Sequence, residues 1–118
     1  MINRTAIREL IAAVEAYPNF DYSKIGPHQP AFGDCGCAIM VMRLGQIAGA
    51  KDRESISQLS QKLGLSYTQG EFLFNNETEK FEDGKAEFVR RAAVLLGEAE
   101  PTKHDLELLS DKVVEYDY

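Results

Sequence analysis

Two thiols separated by a single glycine, Cys35 and Cys37, are the groups in this chain best suited to covalent or metal chemistry. They stand at the head of its most apolar run, directly after Asp34, a residue fit to cap a helix. A thiol at a helix N-terminus has its thiolate favoured by the dipole, so either cysteine is a candidate nucleophile if a base lies near. The chain has two histidines, His28 on the preceding segment and His104 near the other end, which makes Cys35, Cys37, His28 and His104 the candidate catalytic set. The candidate metal set is Cys35, Cys37 and His28, completed by a carboxylate or His104, although Cys-Gly-Cys lacks the Cys-x-x-Cys spacing that suits a tetrahedral site. Against both stands packing. Reduced cysteine is among the most buried residue types, and Gly36 permits close approach of a neighbouring helix. Packing is the preferred reading, so no catalytic residue, cofactor or metal is assigned.

Residues 55–75, Ser-Ile-Ser-Gln-Leu-Ser-Gln-Lys-Leu-Gly-Leu-Ser-Tyr-Thr-Gln-Gly-Glu-Phe-Leu-Phe-Asn, have the pattern of a helix-turn-helix. Leu59 and Leu63 are spaced for a first helix and Gly64 for the turn. The would-be recognition helix, from Tyr67 to Phe74, has no lysine or arginine, carries Glu71, and places Gly70 where an apolar packing residue is expected. It therefore lacks both phosphate-binding charge and bidentate base readers, and a two-helix hairpin in a helical core is the better reading. Arg90 and Arg91 are expected on a solvated face. No glycine-rich phosphate loop, zinc-protease helix or serine elbow occurs.

The elements that would position these groups are all helical. Asn3 or Thr5 can cap a first helix to about Ala16, with Ile7, Leu10, Ile11 and Val14 on one face and Pro18 ending it. Residues 18–33 form a long ordered loop holding Phe20, Tyr22 and Phe32. A buried central helix is expected over about residues 35–48, its methionines filling the core, with Gly49 closing it. Ser55 opens a third helix ending at Gly64, and Ser66 with Gln69 makes a capping box for a short fourth. A polar loop over residues 75–84 precedes a fifth helix from Lys85 to Leu96. Thr102 caps a last helix with Asp105 in its first turn and Leu106, Leu109 and Val113 as its apolar stripe. Period-two alternation is absent, so the expectation is a compact all-α domain of five to six helices spanning residues 1–118, without a sheet, repeats or second domain.

Composition narrows the function classes. The 118 residues can bury a core without disulfides, and the two cysteines are too close in sequence to staple distant segments. Charges at Arg4, Arg8 and Glu9 interrupt the N-terminal apolar residues, and no run approaches a membrane span, so a cytoplasmic protein without membrane contact is expected. The net charge is −6, and residues 98–118 supply most of it, with seven acids against Lys103 and Lys112. That balance disfavours nucleic acid and anionic membranes as partners and leaves room for basic proteins.

Three stretches, Asn19 to Tyr22, Cys35 to Ala38 and Leu63 to Phe74, resemble a group of small uncharacterised bacterial and phage helical proteins. Those combine a Phe-Asp element, a Cys-Gly-rich helix start, and Leu-Gly-Leu-Ser followed by an aromatic Leu-Phe end. Here the second cysteine follows the first by two residues rather than four. The resemblance, over about residues 19–75, implies a small cytoplasmic helical domain in a phage or mobile-element context and assigns no site. The leading expectation is a non-enzymatic protein-binding or regulatory module with another protein as partner. Its alternatives are a cysteine-dependent enzyme or thiol-metal site, and a helix-turn-helix DNA binder.

Overall fold

Asn3 opens the first helix, α1 (Arg4–Ala16), its side-chain oxygen accepting from the backbone N–H of Ala6 at 3.1 Å. The computed structural model describes residues 1–18, 20, 22, 38–74 and 83–110. Ala6, Ile7, Leu10 and Val14 are the buried face of α1. At its C-terminus Lys85 donates to the carbonyls of Glu15 and Tyr17, at 3.0 and 2.9 Å, supplying partners the helix itself cannot.

The apolar run forms α2 (Ala38–Leu44), in which every residue from Ala38 to Arg43 is buried. Cys35, Cys37 and the proposed cap Asp34 lie outside the described residues. The helix ends at Leu44, short of the expected Ala48. Gln46 takes a left-handed conformation (φ 49°) and a 3-10 turn follows over Ile47–Gly49, with Ala48 also left-handed. This tighter path buries Ile47 and Ala50 and leaves Leu44 exposed.

The next two helices follow the capping chemistry of their sequence. In α3 (Ile56–Lys62), Ser55 and Gln58 exchange side-chain and backbone hydrogen bonds, at 3.2 and 2.8 Å. Ser66 and Gln69 do the same for α4 (Tyr67–Phe74), at 3.1 and 2.9 Å. Gly64 turns the chain between them with φ 72°. Gly70 is the closest approach of this hairpin: a Cβ there would stand 2.6 Å from the Cβ of Ser60. Its missing side chain lets the helices meet, which explains a glycine where an apolar residue was expected.

Asp83 caps α5 (Gly84–Leu95), and Thr102 with Asp105 caps α6 (Lys103–Leu108). Phe20 and Tyr22 pack with Phe88 of α5, ring centroids 5.5 to 5.9 Å apart, so these two loop aromatics join the core as their type suggested. Phe32 lies outside the described residues. The fold is all-α: the described residues form six α-helices and no strand, with one hydrophobic cluster drawn from α1 to α5 and their connections. None of the described helices is long and apolar enough to cross a membrane.

The last helix departs from its expected register. Asp105 is fully buried and Leu109 packs against the core, whereas Leu106 is 56% exposed. Asp105 and Leu109 are four residues apart and share a face, so turning Asp105 inward rotates Leu106 out. Val113, the third member of the expected stripe, is outside the described residues.

Candidate functional site

Among the sequence-derived site candidates, Cys35, Cys37 and His28 lie outside the described residues. His104 sits on α6 with an exposed side chain, its Nδ1 3.8 Å from a carboxylate oxygen of Glu107. No group of three or more metal-ligating side chains is gathered among the described residues.

The charges that the structure does gather are the ones expected in solvent. Arg91 is 1% exposed, and on α5 it lies on the stripe formed by Phe88, Ala92 and Leu95. Its guanidinium is held between the rings of Tyr22 and Phe72, 5.7 and 5.1 Å from their centroids. It donates to the Phe72 carbonyl at 2.9 Å and to Glu87 at 3.0 Å. Tyr22 in turn donates its hydroxyl to the Leu73 carbonyl, so two side chains from outside α4 satisfy carbonyls in its last turn.

Arg90 makes a forked pair with Asp105, at 2.7 and 3.0 Å, and binds Glu87 through Nε and Nη2 at 3.1 and 2.7 Å. Asp105 also accepts from the backbone N–H of Thr102 at 2.9 Å. These donors, with the Arg90 hydrogen bond the largest influence, outweigh burial and hold the Asp105 carboxyl down at about 2. Burial pushes Glu87 up, but hydrogen bonds from Arg90 and Arg91 overcome it and leave its carboxyl below the ordinary range. Arg90 is held further toward its charged form, chiefly by its hydrogen bonds to Asp105 and Glu87. The cluster is a structural joint. It ties α5 to α6 through Arg90 and α5 to α4 through Arg91, and thereby sets how α6 lies beside α4.

Beside this joint a groove of about 260 Å³ opens between α4 and α6, its described walls being Tyr67, Thr68, Glu71, Leu108 and Ser110. Tyr67 is 62% exposed and Leu108 36%, an aromatic and an aliphatic side chain presented to solvent from two neighbouring helices. The remaining described walls are the hydroxyl-bearing Thr68 and Ser110 and the carboxylate of Glu71. Two larger clefts have their main charged groups committed to the fold. In one, Lys85 caps α1 and Arg90 belongs to the joint; in the other, Glu98 is paired with Arg4 and Arg8.

The helix-turn-helix pattern of residues 55–75 does fold as a hairpin, through Phe74. In its second helix Tyr67 is exposed and Thr68, Gln69 and Glu71 are half-buried, and that helix bears no cation to meet a phosphate. The register of Arg91 was readable in principle. Arg91 falls at i+3 from Phe88 and four before Leu95, and Glu87 is spaced to pair with both arginines. The partner of Arg90 on α6 had no comparable signal, because Asp105 reads simply as part of a cap. No family model matches this chain, and no curated protein or solved structure matches it either.

Proposed function

We propose that this chain is a non-enzymatic protein-binding module that uses the α4–α6 face as its contact surface. The observation that carries the reading is that Tyr67 and Leu108 stand on opposite walls of a groove whose two helices are tied to α5 by a partly buried ionic joint. Apolar and aromatic side chains on a rigid, preorganised surface bind with little ordering cost, and they are the residue types that anchor protein interfaces. The absence of cations on α4 supports a protein partner over nucleic acid. A cytoplasmic setting, and the phage or mobile-element context suggested by the resemblance over about residues 19–75, belong to the same proposal.

The test is retention of binding partners from a cell lysate by the wild-type chain and by Leu108→Glu and Tyr67→Glu, with light scattering after size exclusion to follow complexes. Proteins held by the wild type and released by both variants support the reading. A strict monomer with nothing retained, or an identical retained set for all three chains, overturns it.

A further inference from the structure

We propose that the connector between α2 and α3, residues 45–55, is a two-state hinge: the structure holds it kinked, and release of a latch on Glu54 lets α2 continue through Ala48. The proposal does not depend on the α4–α6 groove.

Strain marks the segment. Among the described residues the non-glycine residues with positive φ are Gln46 (49°), Ala48 (54°) and Arg53 (72°), and all three lie in this connector. A left-handed backbone brings Cβ against the following carbonyl, so these side chains carry a cost that glycine would avoid. Glutamine is a good helix former and alanine the strongest, so the local preference at Gln46 and Ala48 is a right-handed helix that the observed backbone opposes. Stored strain of this kind collects in switch segments, where the surrounding structure holds one of two conformations.

Side chains from both flanking helices hold the kink. Lys62 of α3 reaches back to donate to the Gly49 carbonyl at 3.4 Å and lies 3.4 Å from a carboxylate oxygen of Glu54. The other Glu54 carboxylate oxygen accepts from the Lys51 backbone N–H at 2.7 Å, and Arg43 of α2 donates to the Glu54 backbone carbonyl. Ile47 and Ala50 are buried by the same path. The Lys62–Glu54 pair is partly open to solvent, its side chains 29% and 17% exposed, so it is the restraint that yields first and can open without unfolding the core.

The second state has a place for the residues it moves. In a continued α2, Ile47 falls four residues after Arg43 and seven after Met40, both buried, and so keeps to an inward face. The exchange relieves Gln46 and Ala48 and gives up the Lys62 bonds and the present packing of Ala50. Any group that draws Lys62 away from Glu54 shifts the balance toward the longer helix.

The test is exchange NMR on the intact chain, by relaxation dispersion and saturation transfer, with the variants Lys62→Met, Gln46→Gly and Ala48→Gly. The wild type should show millisecond exchange confined to the connector and the end of α2, with minor-state carbonyl shifts of residues 45–48 at right-handed helical values. Lys62→Met should raise the minor population about three- to tenfold. Each glycine variant eases the left-handed backbone and weakens the continued helix, so each should lower that population by about as much. An absence of exchange in the connector of both the wild type and Lys62→Met overturns the proposal. A minor state at random-coil shifts also overturns it, because that is local unfolding and not a longer helix. If Lys62→Met does not fold, the glycine variants decide alone: a minor population that they leave unchanged overturns the hinge, and one that they lower supports it.

Discussion

The two sides of α6 invert the usual sorting of residues. Toward α5 it buries a carboxylate against arginine, and toward solvent it exposes Leu106 and Leu108. Had the helix turned its leucines inward, it would have gained apolar burial but left Arg90 without its forked partner. The observed register satisfies five hydrogen-bonding groups at once: both Asp105 oxygens, the Arg90 fork, and the backbone N–H groups of Thr102 and Asp105. For a helix of six residues, which buries little by itself, directional bonds decide the orientation and the apolar side chains follow it.

The sharpest way to break this contrast is at Arg91, the buried arginine of the joint. Replacing it with alanine leaves the Phe72 carbonyl without its donor, removes one of the Glu87 partners, and empties the space between Tyr22 and Phe72. A loss of about 3–5 kcal/mol in denaturant unfolding is expected. Arg91→Met fills the space and should cost about 1–3 kcal/mol, the unpaired carbonyl remaining. Equal losses for the two variants would show that the donated bonds alone, and not the packing, hold α5 to α4.

Asp105 tests the other half of the joint. Asp105→Ala removes both the cap and the partner of Arg90, for an expected loss of about 2–4 kcal/mol. Asparagine retains an acceptor for the cap and should lose less. A milder probe is pH. Because the folded-state value of about 2 lies below the ordinary 3.8, this carboxylate contributes fully above about pH 4, and its contribution is lost as pH falls through 2. That contribution is on the order of 2 kcal/mol, and the corresponding part of the acid-unfolding slope should vanish in Asp105→Asn. An unchanged slope would mean that Asp105 is not the group being titrated.

What the sequence made legible, and what it hid, follows the range of the interactions. Ser55, Ser66 with Gln69, Asn3 and Thr102 were readable because a cap is satisfied within three residues. The all-α class was readable from periodicity. The turn at Gln46 was not, since nothing in its local composition requires a left-handed glutamine, and it is the burial of Ile47 and Ala50 that the turn achieves. Gly70 stands where an apolar residue is expected because Ser60 packs against it from across the hairpin, a contact its own helix does not signal. The joint was hidden for the same reason: the Arg90 partner is fifteen residues away on another helix, and Arg91 draws two of its partners from segments that periodicity does not connect. Nothing in the local sequence marks the groove. Its location on α4 and α6 depends on the register of α6, and that depends on the joint.

The smallest expected effect is also the most direct check on that register. If Asp105 and Leu109 define the inward face, Leu106 is a bystander to folding despite being a leucine in a helix. Leu106→Gln should then change stability by no more than about 0.5 kcal/mol, since the side chain is already mostly in water. Leu109→Gln, one residue type and three positions away, brings a polar amide against the core and should cost more, about 1–2 kcal/mol. Measuring both by denaturant unfolding compares the two faces within one helix and one chemistry. A larger loss at Leu106 than at Leu109 would return α6 to the register its leucines suggest. That outcome would also move Leu108 off the groove and withdraw the surface on which the binding proposal stands.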